Sequence, residues 1–192
     1  MSPITHFLVG WSALERALPA RRDKALVALA GVAPDLDGLG IVVDFATRTL
    51  GLAETDYYQA YHRIYGHGLA AALVIAALCA ALATRGQRAW VALWAFVAVH
   101  LHFACDVLGS RGSGADDLWG IWPLAPFSLS HEIVWSGQWP LIGWQNMAIT
   151  AALIVVIALR ALKTGYSPLA LVSTRADAQF IATLKKWRGA RA

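Results

Sequence analysis

Long apolar runs separated by short polar links organise this chain of 192 residues. The clearest runs cover residues 69–83, residues 89–99 with a continuation to 108, and residues 142–162. Each approaches the roughly 20 residues that an α-helix needs to cross about 30 Å of hydrocarbon. We therefore predict three membrane-spanning helices.

Two shorter apolar segments precede the long runs. The first covers residues 4–18, and the second covers residues 25–33 and ends at the Pro-Asp-Leu-Asp-Gly turn of residues 34–38. As a helix, the second segment would extend only about 15 Å, which is roughly half of the hydrocarbon thickness. We predict that both are helices embedded in the membrane beside the three spans. The expected fold class is therefore an all-α, polytopic membrane helix bundle.

The composition supports a membrane protein. Apolar residues make up 58% of the chain and charged residues only 15%, whereas about a quarter of the residues in a soluble domain are charged. Nine tryptophans suit the interface between lipid and water. Two cysteines, Cys79 and Cys105, lie within apolar runs and form no Cys-x-x-Cys pair, so no thiolate metal site is expected. The expected partner is therefore the lipid bilayer.

The positive charge is distributed along the chain rather than gathered into one patch, so the net charge of +4 does not favour nucleic acid as a partner. If the five segments alternate in direction, thirteen of the sixteen Lys and Arg residues fall on one side. By the positive-inside rule, this predicts an inner-membrane protein with its N-terminus outside and its C-terminus in the cytoplasm. Only Arg48, Arg63 and Arg111 are left for the outer side.

We divide the chain into a membrane-embedded domain, residues 1–165, and a cytoplasmic tail, residues 166–192. In the tail, Phe180, Leu184 and Trp187 recur at helical spacing beside basic residues. This pattern predicts an amphipathic helix on the inner membrane surface, and a solvated tail is the alternative. Residues 109–141 are rich in Gly, Pro and Trp and predict an outer loop anchored at the interface.

Ionisable side chains within or beside apolar segments are costly and therefore indicate a functional site. Counted at helical rise from the predicted cytoplasmic ends, these side chains fall at a similar depth in the outer half of the bilayer. We therefore expect one polar site that faces outwards. Its candidate residues are His6, Asp35, Asp37, His62, Arg63, His67, His100, His102 and Asp106.

The strongest pair among these candidates is His102 with Asp106. Their i,i+4 spacing places both side chains on one face of a helix, where they can ligate the same ion. His100 is turned by about 200° from His102, so we leave it out. His and Asp without Cys suit Zn²⁺ best, with Mn²⁺ or Fe²⁺ as alternatives. We expect one or two divalent ions.

Five short motifs occur in order along residues 1–165: Thr5-His6, Pro34-Asp35-Leu36-Asp37, His62-Arg63-Ile64-Tyr65-Gly66-His67, His102-x-x-x-Asp106 and Trp122-Pro123. Together they resemble the bacterial inner-membrane family called membrane-bound metal-dependent hydrolases. That family is distantly similar to the superfamily of zinc-dependent phospholipase C and single-strand nucleases. These are all-helical enzymes that hold metals with His and Asp and cleave phosphoesters.

The resemblance implies a ligand set with Asp106 as a bridge between two ions. The chain also departs from the superfamily, because His131 and Glu132 are adjacent where a His-x-x-x-Glu motif is expected. A third ion is therefore not expected, and whether these two residues join the site is open. Gly68 also stands where the family usually has Ser. The implied metal ligands are His6, Asp35 or Asp37, His62 or His67, His102 and Asp106.

Our leading hypothesis is a metal-dependent hydrolase of a phosphoester, lipid-linked because of the depth of the site. We expect Asp35, which directly follows a helix end, to bind metal and Asp37 to face the attacking water. Arg63 either clamps a phosphate or contacts lipid headgroups. The alternative is a metal or proton-coupled transporter, although the inner halves of the helices predicted at 69–83 and 89–99 lack ionisable residues. A purely structural membrane protein is the third interpretation.

Overall fold

A computed structural model describes residues 1–14 and 16–189, and these residues form helices and loops without a β-strand. The expected all-α fold is confirmed for this part of the chain. A 3₁₀ helix, Ala33–Leu39, lies between the second and third α-helices, and a second one, Pro168–Leu171, precedes the last. The α-helices are α1 (Pro3–Leu14), α2 (Arg21–Ala30), α3 (Gly40–Thr49), α4 (Tyr57–Tyr61), α5 (Leu69–Leu82), α6 (Arg88–Gly109), α7 (Trp144–Thr164) and α8 (Thr174–Gly189).

Helix α6 lies at the centre of the bundle and packs against α1, α2 and α5. The α5–α6 contact is lined by small buried residues, Ala72 and Ala76 on one helix and Ala95 and Ala98 on the other. Small side chains let two helices approach closely, as in other membrane bundles. Because α6 is surrounded in this way, His102 and Asp106 in its last turns are enclosed by protein.

Two of the three predicted spans are confirmed as helices of spanning length. Helices α6 and α7 contain 22 and 21 residues and are apolar enough to cross a membrane. In α7, only 11% of the most apolar 18-residue stretch is buried inside the protein. Its exposed apolar surface suits contact with lipid.

The prediction of a full span at residues 69–83 was wrong. Helix α5 has only 14 residues, which corresponds to about 21 Å at helical rise and falls short of the hydrocarbon thickness. The helix ends because Ala83 adopts an extended conformation, with ψ of 162°. Hydrophobicity alone predicted the span, but the apolar run has too few residues to cross the hydrocarbon as a helix.

The N-terminal region contains more helix than the sequence predicted. Helix α1 ends at Leu14, short of the predicted end at residue 18, and the predicted range includes Glu15, which lies outside the described residues. The predicted turn at 34–38 is part of the 3₁₀ helix, and α3 follows it directly. Helix α2 and the stretch Ala33–Thr49 are bent by 50° from each other and together are long enough to count as one broken span. The described residues therefore contain two candidate spans, or three with this pair.

The tail forms the predicted helix, α8, but part of its apolar face lies against the protein. The carboxylate of Asp177 accepts hydrogen bonds from the backbone N–H and the hydroxyl of Ser167, at 2.8 and 2.6 Å. Ile181 is buried, and Trp187 is 63% exposed. Residues 190–192 of the predicted tail lie outside the described residues.

The segment between α6 and α7 is a loop, as predicted. Two isolated bridges, Arg111 with Pro140 and Ile121 with Ile133, hold it together. The amide of Asn146, at the start of α7, donates to the carbonyl oxygen of Gly109 at 2.7 Å, and this bond ties the two long helices together. The loop thereby lies over the end of α6.

Candidate metal centre

The predicted ligands converge at the C-terminal end of α6. They come from α1, the first 3₁₀ helix, the loop between α4 and α5, and α6. One potential donor atom of each residue lies within 4.8 Å of the others in two groups that could hold a metal ion. The first group is His6, Asp35, His102 and Asp106, and the second is Asp37, His62 and His67.

The first group is centred on the buried carboxylate of Asp106. Its Oδ1 lies 3.1 Å from Nε2 of His6, and its Oδ2 lies 3.0 Å from Nε2 of His102. Asp35 faces the same ring, with Oδ1 at 3.7 Å from Nε2 of His102. The other oxygen of Asp35, Oδ2, is buried without a hydrogen-bond partner among the described residues.

His67 joins the two groups. Its Nδ1 donates to Oδ2 of Asp37 at 3.1 Å. On the opposite side of the ring, its Nε2 lies 3.0 Å from Nε2 of His102 and 3.5 Å from Oδ2 of Asp106. The second group is completed by His62, whose Nδ1 donates to Oδ1 of Asp37 at 2.6 Å.

The Nε2 atoms of His67 and His102 face each other, so a proton or a metal ion must bind to at least one of them. Nδ1 of His102 lies 2.9 Å from the carbonyl oxygen of Gly31. A carbonyl only accepts, so Nδ1 carries the hydrogen and a neutral His102 ring has a bare Nε2. By the same argument, the bond to Asp37 places the hydrogen of a neutral His67 on Nδ1. Two bare nitrogen lone pairs beside a carboxylate repel one another unless a proton or a metal ion binds them.

The protonation of His67 reflects this arrangement. Burial disfavours the charged ring, but hydrogen bonds with Asp106 and Asp37 outweigh that effect and raise the pKa of His67 to about 9. The donor set of imidazole nitrogens and carboxylate oxygens also suits Zn²⁺, Mn²⁺ or Fe²⁺. Neither Cys79 nor Cys105 belongs to the two groups. The residues present therefore fit a divalent ion.

Asp37 organises the loop that carries both second-group histidines. In addition to the two rings, its Oδ2 accepts the backbone N–H groups of Arg63 at 3.0 Å and Gly66 at 2.8 Å. Gly66 is needed for this approach, because a Cβ there would lie 2.2 Å from the carbonyl oxygen of Pro34. The backbone of Arg63 adopts a φ of 79°, a value that residues other than glycine rarely adopt. The loop thus holds a strained residue beside the site.

This geometry favours a different role for Asp37 from the water-facing one that we expected. A water-facing base needs a free lone pair, but four donors already occupy the carboxylate of Asp37. Carboxylates in this position usually orient a metal-binding histidine. Asp35, with its unpartnered oxygen, has the free acceptor that Asp37 lacks.

Arg63 lies at one end of a pair of adjoining cavities. Its guanidinium carbon is 4.4 Å from the ring centre of Trp119 and 5.6 Å from that of Trp122. A cavity of about 410 Å³ is lined by Asp35, Asp106 and His62 among others. A smaller cavity of about 170 Å³ contains Arg63, and the two share lining residues. The shared residues are Tyr58, His62, Ser110, Trp119 and Leu141.

His100, which we left out of the predicted site, and the adjacent residues His131 and Glu132 lie outside the two groups of candidate ligands. The ring of His100 is exposed and donates from Nδ1 to the carbonyl oxygen of Phe96 at 2.8 Å. His131 contacts Ser130, with Nδ1 at 2.8 Å from its hydroxyl. Neither His131 nor Glu132 belongs to the two groups found among the described residues.

Three residues of the candidate site, Met1, Ser110 and Tyr58, were not predicted from the sequence. The hydroxyl of Ser110 donates to Oδ1 of Asp106 at 2.8 Å, and the amino group of Met1 contacts both. Ser110 continues the i,i+4 spacing of His102 and Asp106, so the helical face could have indicated it. Tyr58 lines both cavities, and no pattern in the sequence distinguishes it from its neighbouring tyrosines.

A comparison with models of known protein families supports the membrane location that the apolar helices indicate. The family model described as YdjM inner membrane protein matches residues 1–183. No curated protein and no solved structure matches the chain significantly. The family description supports the predicted membrane location but does not bear on the hydrolase family or the phospholipase C superfamily. From its helices and from this match, the chain belongs to the YdjM inner membrane protein family.

Proposed function

We propose that this protein is a membrane-bound, metal-dependent hydrolase of phosphoesters. The observation that carries the proposal is the convergence of Nε2 of His67, Nε2 of His102 and the carboxylate of Asp106 within 3.0–3.5 Å. Such a site must bind a proton or a metal ion, and it opens into a cavity that is large enough for a small ligand. His6, Asp35, His102 and Asp106 would hold one ion, and His62 and His67 would hold or adjoin a second.

A divalent ion bound there would supply a Lewis acid and would make water a nucleophile near neutral pH. The residues around this ion would have different roles. The carbonyl of Gly31 and the carboxylate of Asp37 fix the orientation of the His102 and His67 rings. Asp35 keeps one oxygen free to accept a hydrogen bond from the attacking water. Proton abstraction therefore falls to Asp35 in our proposal.

Arg63 is placed to bind the phosphoryl group. Its guanidinium is held against the indole of Trp119, and stacking of this kind fixes the fork of N–H donors. Trp119 is itself held by Gln138, which accepts its backbone N–H at 2.8 Å and donates to its carbonyl oxygen at 2.6 Å. A phosphate in the shared part of the cavities would lie between the metal group and this arginine.

We further propose a lipid-linked phosphoester as the substrate. The larger cavity has polar residues on its floor, whereas Leu39, Leu141 and Ile142 line its outer part. These three side chains are 57%, 44% and 90% exposed. An amphiphile can place its phosphate on the floor and its hydrocarbon on this apolar rim.

We place the site on the outer face of the inner membrane, with the C-terminus in the cytoplasm. The candidate ligands lie at the C-terminal end of α6, and Arg88 begins the same helix. Arg160 and Lys163 lie in the last turns of α7, whereas the loop over the site joins its first turn. The positive-inside rule therefore assigns the ends remote from the site to the cytoplasm.

Hydrolysis tests the proposal directly. Protein purified in detergent and loaded with Zn²⁺ or Mn²⁺ should cleave p-nitrophenyl phosphate, its diester or phosphatidic acid, and a chelator should abolish turnover. Arg63→Ala should lower kcat/KM roughly 100-fold, by analogy with the loss of one preorganised donor. Arg48→Ala is the matched control, because Arg48 is exposed and pairs only loosely with Glu54 at 3.8 Å. Uptake of metal into vesicles without hydrolysis of any ester would instead favour the transporter.

The metal content of variants tests whether His102 and Asp106, which share one face of α6, bind the metal. His102→Ala and Asp106→Ala should each abolish retention of metal, because each removes a central donor of the first group. His100→Ala should retain the metal, since that ring points away from both groups. Elemental analysis of the purified variants, with helicity checked by circular dichroism, provides the measurement. Equal loss in the His102 and His100 variants would contradict the site.

The two acids of the Pro-Asp-x-Asp motif should differ in their effects. Asp37→Asn should weaken metal affinity about 10- to 100-fold, as expected when a carboxylate that orients ligands is lost. Asp35→Asn should abolish turnover even at saturating metal. Competition with a chromophoric chelator measures the affinity, and the exposed Asp56→Asn is the control. Full affinity in Asp37→Asn together with lost turnover would return the water-facing role to Asp37.

The orientation in the membrane can be tested with reporter fusions at two glycines. A fusion at Gly86, in the link between α5 and α6, should report the cytoplasm. A fusion at Gly114, in the loop over the site, should report the outer side. The reverse result would place the site on the cytoplasmic face.

A further inference from the structure

Helix α4 carries tyrosines on two different faces. Tyr57 and Tyr61 are exposed and continue into Tyr65, with successive ring centres 5.7 Å apart. Tyr58 lies on the other face and is half-buried, and its ring centre is 4.6 Å from that of His62. Only this face turns towards the candidate metal centre.

A buried carboxylate fixes the position of Tyr58. Asp44, in helix α3, accepts the backbone N–H groups of Tyr57 and Tyr58 at 2.8 Å each. It also accepts the hydroxyl of Thr55 at 2.7 Å. These bonds anchor the start of α4 to α3, so the backbone of Tyr58 is held in place independently of its side chain.

The hydroxyl of Tyr58 is available to a ligand. Tyr58 lines both the cavity over the first metal group and the cavity that contains Arg63. Its hydroxyl makes no hydrogen bond to any residue in the described part of the chain. The carboxylates of Asp35 and Asp106 and the guanidinium of Arg63 are all close enough to act on it electrostatically. Tyr58 therefore lines both the cavity that contains Asp35 and Asp106 and the cavity that contains Arg63.

We propose that Tyr58 is a substrate-binding residue whose hydroxyl donates a hydrogen bond to an oxygen of a phosphate held between the first metal group and Arg63. The inference deepens the proposed function and rests on it for the identity of the ligand. A phosphate oxygen is a strong acceptor, and hydrogen bonds to charged groups are the stronger ones. The carboxylates nearby only accept and cannot bind a phosphate oxygen by a hydrogen bond, whereas the phenolic hydroxyl can donate to it.

Binding of inorganic phosphate to the zinc-loaded protein tests this inference. Tyr58→Phe keeps the ring contact with His62 and removes only the hydroxyl. Calorimetric titration should show a dissociation constant for phosphate that is roughly 10- to 100-fold higher than in the wild type. Tyr61→Phe, the matched control on the exposed face of α4, should leave the constant unchanged. Metal content should be the same in all three proteins.

The possible failures can be told apart. Equal phosphate affinity in Tyr58→Phe and the wild type overturns the inference, as does a wild type that binds no phosphate. Loss of metal in Tyr58→Phe also overturns it, because the hydroxyl would then support His62 instead of the ligand. If binding depends on Tyr58 but no ester is cleaved, the inference stands and the hydrolase proposal fails. If esters are cleaved equally by both proteins, the hydrolase proposal stands and Tyr58 is not part of it.

Discussion

The burial of two carboxylates, those of Asp106 and Asp37, constrains the whole polar end of this bundle. An ionised carboxylate loses several kcal/mol of solvation when it is removed from water, unless other charges and donors replace the solvent. Asp106 is 2% exposed, and its partners come from α1, from α6 and from the loop before α5. Asp37 gathers two rings and two backbone N–H groups of residues 62–67. Segments remote in sequence are thus fixed around two charges.

The membrane adds a second constraint. Because lipid offers no hydrogen bonds, polar groups at membrane depth must be enclosed by protein. The long helix α6 provides that enclosure by packing its small residues against α5 and its last turns against α1 and α2. The loop from 110 to 143 covers the end of α6 and supplies Trp119, which holds Arg63. A site of this construction can remain charged inside an inner-membrane protein.

Periodicity in the sequence predicted the part of the site that lies on one helix. The spacing of His102 and Asp106 implies a shared face, and the rotation of His100 excludes it; both follow from helical geometry alone. The roles of Asp35 and Asp37 could not be predicted in this way. They depend on a 3₁₀ helix in place of a simple turn and on backbone donors from Arg63 and Gly66. Nor could Tyr58 be chosen among five tyrosines without the tertiary position of α4.

The fold shows the same limit. Uniform hydrophobicity predicted α6 and α7, because length and composition suffice for a long isolated run. It failed for α5, where the apolar run itself is too short to cross the membrane, and for α3, whose apolar residues follow a Pro-Asp motif that indicated a turn. The membrane-surface position of α8 stays a prediction, and the bonds between Asp177 and Ser167 hold one side of that helix against the protein.

We propose that the buried cluster of His and Asp side chains is a metal centre. X-ray absorption spectroscopy of the protein, purified without added chelator, tests it most directly. We expect a bound first-row metal with nitrogen and oxygen ligands at about 2.0–2.2 Å, with the multiple scattering typical of imidazole and no sulfur. A metal shell that contains sulfur, or a folded protein that retains no metal after equilibration with Zn²⁺ and Mn²⁺, would contradict it.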